Sequence, residues 1–143
     1  MAVEHRAHTT WEGDLQSGSG IFTLGSGVTG PQRVTWRARA EDATAGTSPE
    51  ELIAAALSSC FSMALSGGLA RAETPPRRLE TDVVSTFEGG VGITKFAVTV
   101  RGDVPGVDEE AFREAAEQAK ENCPVSKALK GNVEITLDAA LES

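Results

Sequence analysis

Alternating apolar and polar positions in the first third of the chain predict three β-strands. Three apolar-rich segments are separated by glycine- and serine-rich stretches that suit turns: residues 8–11, 20–24 and 33–40. In the third segment, apolar Val34 and Trp36 alternate with the arginines Arg33, Arg37 and Arg39. On a half-buried strand, this alternation places all three arginines on the face away from the core.

A long helix is predicted from Pro49 to about Leu69. Ser48 can cap its first turn, proline suits the first helical position, and Glu51 completes a capping box. The body from 52 to 70 carries no charge, and apolar or small residues cover almost its whole circumference. Because such a helix is typical of a buried rather than an amphipathic position, we expect it to form the core.

The same uncharged stretch reaches the minimum length of a membrane span, which is one alternative. Its serines and the Gly67-Gly68 pair dilute its hydrophobicity, and no aromatic belt or basic cluster flanks it on both sides. Packing of the helix against a sheet, or against its symmetry mate in a second subunit, explains the small residues better.

The second half of the chain predicts a hairpin, two helices and a final strand. The expected elements are strands 79–87 and 91–100, helices 108–122 and 125–130, and strand 133–137. An acidic first turn after residue 107 complements the helix dipole of the first of these helices. The whole pattern predicts one α+β domain, residues 1–143, with helices packed on antiparallel or mixed sheets.

Charge and composition narrow the function. The formal net charge of -8 at pH 7 opposes binding to nucleic acids or anionic membranes, since both require clustered Lys and Arg, so we expect neither partner. The first ten residues lack the features of a secretory signal, which favours a cytoplasmic protein. In a reducing cytosol, the two cysteines are more suited to catalytic or redox roles than to a permanent disulfide. The histidines, His5 and His8, have no zinc-ligand spacing to either cysteine, so no metal is expected.

Cys60 and Cys123 are therefore the candidate reactive groups. Cys60 lies in the middle of the long helix, where the plain alternative is a small buried hydrophobe. Cys123 lies between a helix end and Pro124, where the backbone is restricted and local exposure is plausible. If the fold brings them together, a peroxide can oxidise one thiol to a sulfenic acid, and the other can condense with it to a disulfide.

A thiolate peroxidase also needs a cation or hydrogen-bond donors near its thiol. Arg37 and Arg39 are the candidates, with solvated surface arginines as the alternative, and Glu50 or Glu51 can orient either one. Glu50 precedes Cys60 by ten residues, a rise of about 15 Å on an unbroken helix. If both serve one site, either the helix is broken or Glu50 comes from a second subunit, which predicts a site at a two-fold dimer interface.

Five segments carry a wider resemblance: Trp11-Glu12-Gly13-Asp14, residues 46–56, residues 59–66 around Cys60, Ile93-Thr94-Lys95, and Asn122-Cys123-Pro124-Val125-Ser126. With two cysteine motifs in this order and at this separation, the chain resembles the osmotically inducible protein C (OsmC) and organic hydroperoxide resistance family. The resemblance spans nearly the whole chain and is nearer to the OsmC branch.

The resemblance implies an intertwined homodimer with sheets wrapped around central helices, no bound cofactor, and thiol-dependent reduction of organic hydroperoxides and hydrogen peroxide in the response to oxidative and osmotic stress. Cys60 matches the peroxidatic cysteine, Cys123 the resolving cysteine, and Glu50 the glutamate that holds the catalytic arginine. Arg39 matches that arginine in the OsmC branch, with Arg37 as the fallback. The reductant is expected to be a dithiol, either a dihydrolipoyl protein, as the resemblance implies, or a thioredoxin-like one.

Two other functions stay open on the residues alone. A small dimeric stress or ligand-binding protein would hold two thiols in an apolar cavity without turnover. A thiol-disulfide oxidoreductase usually carries a C-x-x-C pair at a helix start, which this chain lacks. Among peroxides, the apolar neighbours of Cys60 favour bulky organic ones over hydrogen peroxide, namely Phe61, Met63 and Leu65.

Overall fold

The computed structural model describes residues 1–142, which form two small sheets and four helices. The elements in chain order are β1 (Ala7–Glu12), β2 (Ser19–Leu24), β3 (Gln32–Val34), α1 (Trp36–Ala40), α2 (Pro49–Arg71), β4 (Arg78–Glu88), β5 (Gly92–Asp103), α3 (Glu109–Asn122), α4 (Pro124–Leu129) and β6 (Glu134–Leu141). The predicted α+β class is confirmed. The chain divides into two compact units, Met1–Leu52 and the part from Ile53 onward.

The sheet of the first unit is antiparallel in the order β1-β2-β3. β1 and β2 pair from Ala7 opposite Leu24 to Glu12 opposite Ser19. All six positions of β1 are exposed, whereas β2 buries the side chain of Phe22. In the single chain, β1 is therefore an edge strand that nothing covers on either face.

The predicted third strand is wrong beyond Val34, because residues 36–40 form the short helix α1. Thr35 caps this helix, and its hydroxyl accepts a hydrogen bond from the Ala38 amide at 3.2 Å. The prediction that the arginines share one face is wrong for the same reason. Two residues apart on a helix, Arg37 and Arg39 leave the axis in nearly opposite directions.

Helix α2 confirms the predicted long helix and is unbroken from Pro49 to Arg71. The predicted cap is present, since the Ser48 hydroxyl accepts a hydrogen bond from the Glu51 amide at 3.1 Å. By length and composition, with a mean hydropathy of 1.7, α2 also resembles a membrane span. Core helices of soluble proteins have the same composition.

Only one side of α2 is buried in the described chain. The side chains of the buried side recur every fourth residue, and each is at most 1% exposed: Leu57, Phe61, Leu65 and Leu69. Another side is exposed and carries no charge: Leu52, Ala55, Ala56, Ser59 and Met63. We call this second set the open stripe. The expectation that α2 is buried all round is thus wrong for the single chain.

The second unit contains a sheet in the order β4-β5-β6, and this sheet is mixed, which agrees with the predicted antiparallel or mixed sheets. β4 and β5 form the predicted antiparallel hairpin, while β5 and β6 are parallel. Side chains of β5, α3 and the buried side of α2 form one hydrophobic core, with Phe96, Phe112 and Phe61 at its centre. Cys123 belongs to this core, which fixes its position between α3 and α4.

We predict that Gly102 on β5 does not tolerate a side chain. A methyl group added at this position would lie 2.7 Å from two atoms of the buried Phe112 ring and 3.2 Å from Leu79 Cδ2. Gly102→Ala should therefore lower the free energy of unfolding by about 1–3 kcal/mol, the usual cost of overpacking a core. Urea unfolding followed by circular dichroism measures this change.

Gly89→Ala is the matched control, since it adds the same methyl group in the hairpin turn, where no atom lies within 4 Å. Its free energy of unfolding should stay within about 0.5 kcal/mol of the parent value. Equal unfolding midpoints for the two variants would contradict this account of the β5–α3 packing.

Candidate active site

Two elements of the second unit position the cysteines. Cys60 lies on α2 between the buried side and the open stripe and is partly exposed. Cys123 ends α3 and precedes Pro124, the first residue of α4, and it is fully buried. The backbone of Cys123 is extended, with φ -57° and ψ 126°, as a residue before proline requires. A helix, a proline and the core thus hold this thiol in place.

The structure packs the free thiol of Cys60 against the core to which the free thiol of Cys123 belongs, and each thiol shifts the pKa of the other. Residues far apart in the sequence therefore form one redox-capable pair. The plain interpretation of each as an isolated buried hydrophobe does not describe this contact.

The surroundings shift the pKa values of the two thiols in opposite directions. Burial raises the pKa of Cys60, the hydrogen bond to Cys123 raises it further, and the Val125 amide only partly opposes both. Burial also disfavours the Cys123 thiolate, but the hydrogen bond from Cys60 and donors on Ser126 and Val125 outweigh it and lower the pKa of Cys123. In the single chain, these contacts favour a thiolate on Cys123 over one on Cys60.

The first unit contains the other predicted pair. Arg39 Nε lies 2.9 Å from Glu50 Oε1 and 3.1 Å from Glu50 Oε2. Glu50 is only 4% exposed at the start of α2, and the half-buried Arg39 lies near the end of α1. A buried carboxylate needs such a partner, since its desolvation is otherwise expensive. The ion pair therefore fixes the arginine and the glutamate together.

Arg37 has a different partner. Its Nη2 lies 3.3 Å from Asp42 Oδ2, and both side chains are exposed. Asp42 also accepts hydrogen bonds from the hydroxyl and amide of Thr44, and these bonds lower the pKa of Asp42. Of the two candidate arginines, Arg39 is the one bound to Glu50. Glu51, the alternative carboxylate, is exposed.

Two details of the site differ from the sequence-based expectation. Phe61 and Leu65 face the core and are fully buried, so Met63, at 76% exposed, is the one of the three expected apolar neighbours that reaches the surface. Sequence reasoning also missed Ser126, a buried serine whose amide and hydroxyl influence Cys123. The signal for it was present, since a side chain at the third position of a helix often interacts with the capping residue.

The family model described as "OsmC-like protein" matches residues 40–138. The peroxiredoxin OsmC of Escherichia coli (strain K12) is 41% identical over 146 residues, covering 100% of both chains. The organic hydroperoxide resistance protein OhrB of Bacillus subtilis (strain 168) is 33% identical over 128 residues, covering 84% of this chain and 88% of OhrB. The crystal structure of Bacillus subtilis OhrB superposes with a TM-score of 0.69 at 28% identity, covering 94% of this chain and 97% of OhrB.

The matched region contains Glu50, Cys60 and Cys123, and it begins one residue after Arg39. The similarity to OsmC extends over the full length and exceeds the similarity to OhrB, which confirms the predicted branch. The fold, the residue motifs and these matches agree: the chain belongs to the OsmC-like protein family.

Proposed function

We propose that this protein is a cytoplasmic, thiol-dependent peroxidase that reduces organic hydroperoxides to alcohols, with Cys60 as the peroxidatic and Cys123 as the resolving cysteine. The observation that carries the proposal is the packing of a partly exposed thiol, Cys60, against the core that holds a fully buried one, Cys123. The names of the relatives, a peroxiredoxin and organic hydroperoxide resistance proteins, support the same chemistry. Protection against oxidative and osmotic stress is the corresponding role.

The reaction has two steps within one chain. The Cys60 thiolate attacks one oxygen of the peroxide, the O–O bond breaks, and the alkoxide takes a proton and leaves as the alcohol, so that Cys60 becomes a sulfenic acid. The Cys123 thiolate then attacks the Cys60 sulfur, and hydroxide leaves as the disulfide forms. Two electrons pass from the thiols to the peroxide, and a dithiol must return them.

The exposure of the two thiols supports the roles proposed for them. Cys60 is partly exposed, so a peroxide can reach its sulfur, whereas Cys123 is 0% exposed. The same argument directs the reductant to the Cys60 sulfur of the disulfide, because thiol-disulfide exchange requires access to the sulfur that is attacked. We propose a dithiol as the reductant, with a dihydrolipoyl protein as the first candidate and a thioredoxin-like protein as the second.

Cys60 needs a cation to act first. Its pKa is raised by burial and by Cys123, so in the single chain it ionises less readily than an ordinary thiol. A guanidinium beside it would favour the thiolate and stabilise the leaving oxygen. We propose Arg39, held by Glu50, as this cation.

We propose that the Arg39–Glu50 pair reaches Cys60 from a second subunit. Of the two explanations consistent with the sequence, a broken helix is excluded, since α2 is continuous from Pro49 to Arg71. Glu50 then lies roughly 15 Å along the axis from Cys60 of its own chain. In a homodimer, the start of α2 in one subunit can lie beside Cys60 of the other, which removes this separation. We also propose that the whole chain acts as one domain.

The open stripe supports the dimer. It presents small and apolar side chains from Leu52 to Met63 without a charge, and such surfaces are rare on monomers unless they bind something. Small residues at helical spacing allow a second helix to approach closely. A two-fold contact between two α2 helices would cover the stripe on both molecules at once.

Trapping of the sulfenic acid tests the peroxidase. In Cys123→Ala, cumene hydroperoxide followed by a dimedone probe should label Cys60, because the sulfenic acid forms but has no resolving thiol. In Cys60→Ala, Cys123 should stay unlabelled, because it is buried. Mass spectrometry of the peptides reads both outcomes. Thiols that stay reduced in the parent protein would instead support a non-enzymatic ligand-binding protein.

The choice of arginine gives a separate prediction. Arg39→Ala should slow the oxidation of Cys60 by about 10²–10³-fold, the usual effect of removing one group that stabilises a developing negative charge. Arg37→Ala is the matched control, since it breaks only an exposed ion pair with Asp42 and should change the rate by less than about threefold. Stopped-flow measurement with cumene hydroperoxide compares them, and the opposite order would make Arg37 the catalytic arginine.

A further inference from the structure

One turn beyond Cys123 lies a hydroxyl that the proposed reaction has not used. Ser126 is 4% exposed, and within residues 1–142 its Oγ is the buried side-chain oxygen or nitrogen that has no hydrogen-bond partner. Buried hydroxyls without partners are uncommon, because a buried hydroxyl has lost its hydrogen bonds to water and gains no bond within the protein to replace them. The position of this hydroxyl therefore calls for an explanation.

The ordinary backbone partners of Ser126 do not explain it. A side chain at the third position of a helix often bonds to the amide of the capping residue, but the Cys123 amide already donates to the Ala119 carbonyl at 2.8 Å. A helical serine can also donate to a carbonyl one turn earlier. Ser59 and Ser62 do so on α2, at 2.9 and 2.8 Å, whereas Ser126 does not.

The Cys123 sulfur is another group at this helix start. It is buried like Ser126 and belongs to the residue three positions before it, the spacing of a capping pair. Burial opposes ionisation of Cys123, but the hydrogen bond from Cys60, then the amide and hydroxyl of Ser126, and last the Val125 amide lower the pKa of Cys123. The hydroxyl thus favours the charged form of the sulfur, although it makes no hydrogen bond to the resting thiol.

We propose that Ser126 is a positioning residue that donates a hydrogen bond to the Cys123 thiolate while this thiolate attacks the Cys60 sulfenic acid. The inference rests on the resolving role proposed for Cys123. In the resting pair, the Cys60 thiol is the main donor to Cys123. Ionisation and oxidation of Cys60 remove that S–H, so the buried Cys123 sulfur loses its main donor before it must carry a negative charge. The Ser126 hydroxyl replaces it.

The step itself balances. The Cys123 thiolate forms the S–S bond as the S–O bond of the Cys60 sulfenic acid breaks, and hydroxide leaves and takes a proton to become water. Ser126 keeps its own proton throughout. Its hydroxyl donates a hydrogen bond that stabilises the negative charge on the attacking Cys123 sulfur. This hydrogen bond is lost when the disulfide has formed and the sulfur is neutral.

A thiolate titration tests the inference without any peroxide. Cys60→Ala removes the competing thiol and its hydrogen bond, so that Cys123 is the one remaining cysteine. Adding Ser126→Ala to this background should raise the Cys123 pKa by about half a unit to one unit, because a donor to the charged form is lost. Ultraviolet absorbance of the thiolate against pH gives the midpoint. An unchanged midpoint would overturn the proposal, whether or not the protein is a peroxidase.

Ser62→Ala in the same background is the matched control. It removes a half-buried hydroxyl that already bonds to the Ser58 carbonyl and the Thr81 hydroxyl. The Cys123 midpoint should stay the same in this variant. An equal upward shift from Ser62→Ala would assign the effect to general loosening of the core and would overturn the inference.

Kinetics separate the role of Ser126 from a structural one. With both cysteines present, Ser126→Ala should slow disulfide formation by about 3–10-fold at neutral pH, because a pKa raised by half a unit to one unit lowers the thiolate fraction of Cys123 by that factor. The defect should vanish at high pH, since Cys123 then ionises without help, and the preceding oxidation of Cys60 should keep its rate. Rapid-quench sampling with cumene hydroperoxide follows both steps. Equal slowing of both steps, or a defect that persists at high pH, would overturn the inference.

Discussion

The continuity of helix α2 is the constraint on which the rest of the site depends. One rigid element carries Glu50 in its first turn and Cys60 ten residues later, and no bend brings them together. The helix can remain straight because Ser48 caps its start and four large side chains anchor its buried side in the core of the second unit. An arginine held at the start of α2 is thus available to a thiol of another molecule, and the uncharged open stripe offers the surface on which that molecule would pack.

The thiol pair explains why a second molecule would matter chemically. Burial opposes the ionisation of both sulfurs, and their mutual influence favours the thiolate on Cys123, the thiol that is 0% exposed. A guanidinium beside Cys60 would reverse that order, because an opposite charge favours the thiolate nearest to it. In this account, dimer formation would switch the nucleophile from the buried to the accessible sulfur. After oxidation the S–H of Cys60 is gone, and in this account the Ser126 hydroxyl then stabilises the Cys123 thiolate as it attacks.

Elements with a strong local signal could be predicted from the sequence. Elements for which two local signals compete, and contacts between distant residues, could not. α2 and α3 have caps and long uniform patterns, and the β4–β5 hairpin has alternation around a glycine pair, so their positions were correct. The segment 35–40 is too short for alternation to be decisive, and the capping bond of Thr35 selected a helix instead. The contact of Cys60 with Cys123 depends on how α2 packs against the α3–α4 corner, which no local pattern encodes.

Two further differences have the same physical origin. A uniform apolar helix does not reveal which of its sides its own chain covers, so the open stripe could not be distinguished from the buried side before the structure. Ser126 was missed because its significance depends on two missing hydrogen bonds, one to the amide of Cys123 and one to a carbonyl a turn earlier. Only the structure shows that both are missing. The ion pair between Arg39 and Glu50, by contrast, forms in the structure even though the strand expected to carry Arg39 is a helix.

Mixed dimers test the central claim, the completion of each site by two chains. Arg39→Ala and Cys60→Ser should each be inactive alone, but random mixing of equal amounts should recover about a quarter of the parent turnover, since half of the dimers are hybrids with one intact site each. A mixture of Cys60→Ser with Cys123→Ala is the control and should recover no disulfide, because both cysteines of a site lie in one chain. Recovery in the first mixture alone is the predicted result. Hybrid dimers that form but stay inactive in the first mixture would contradict the account.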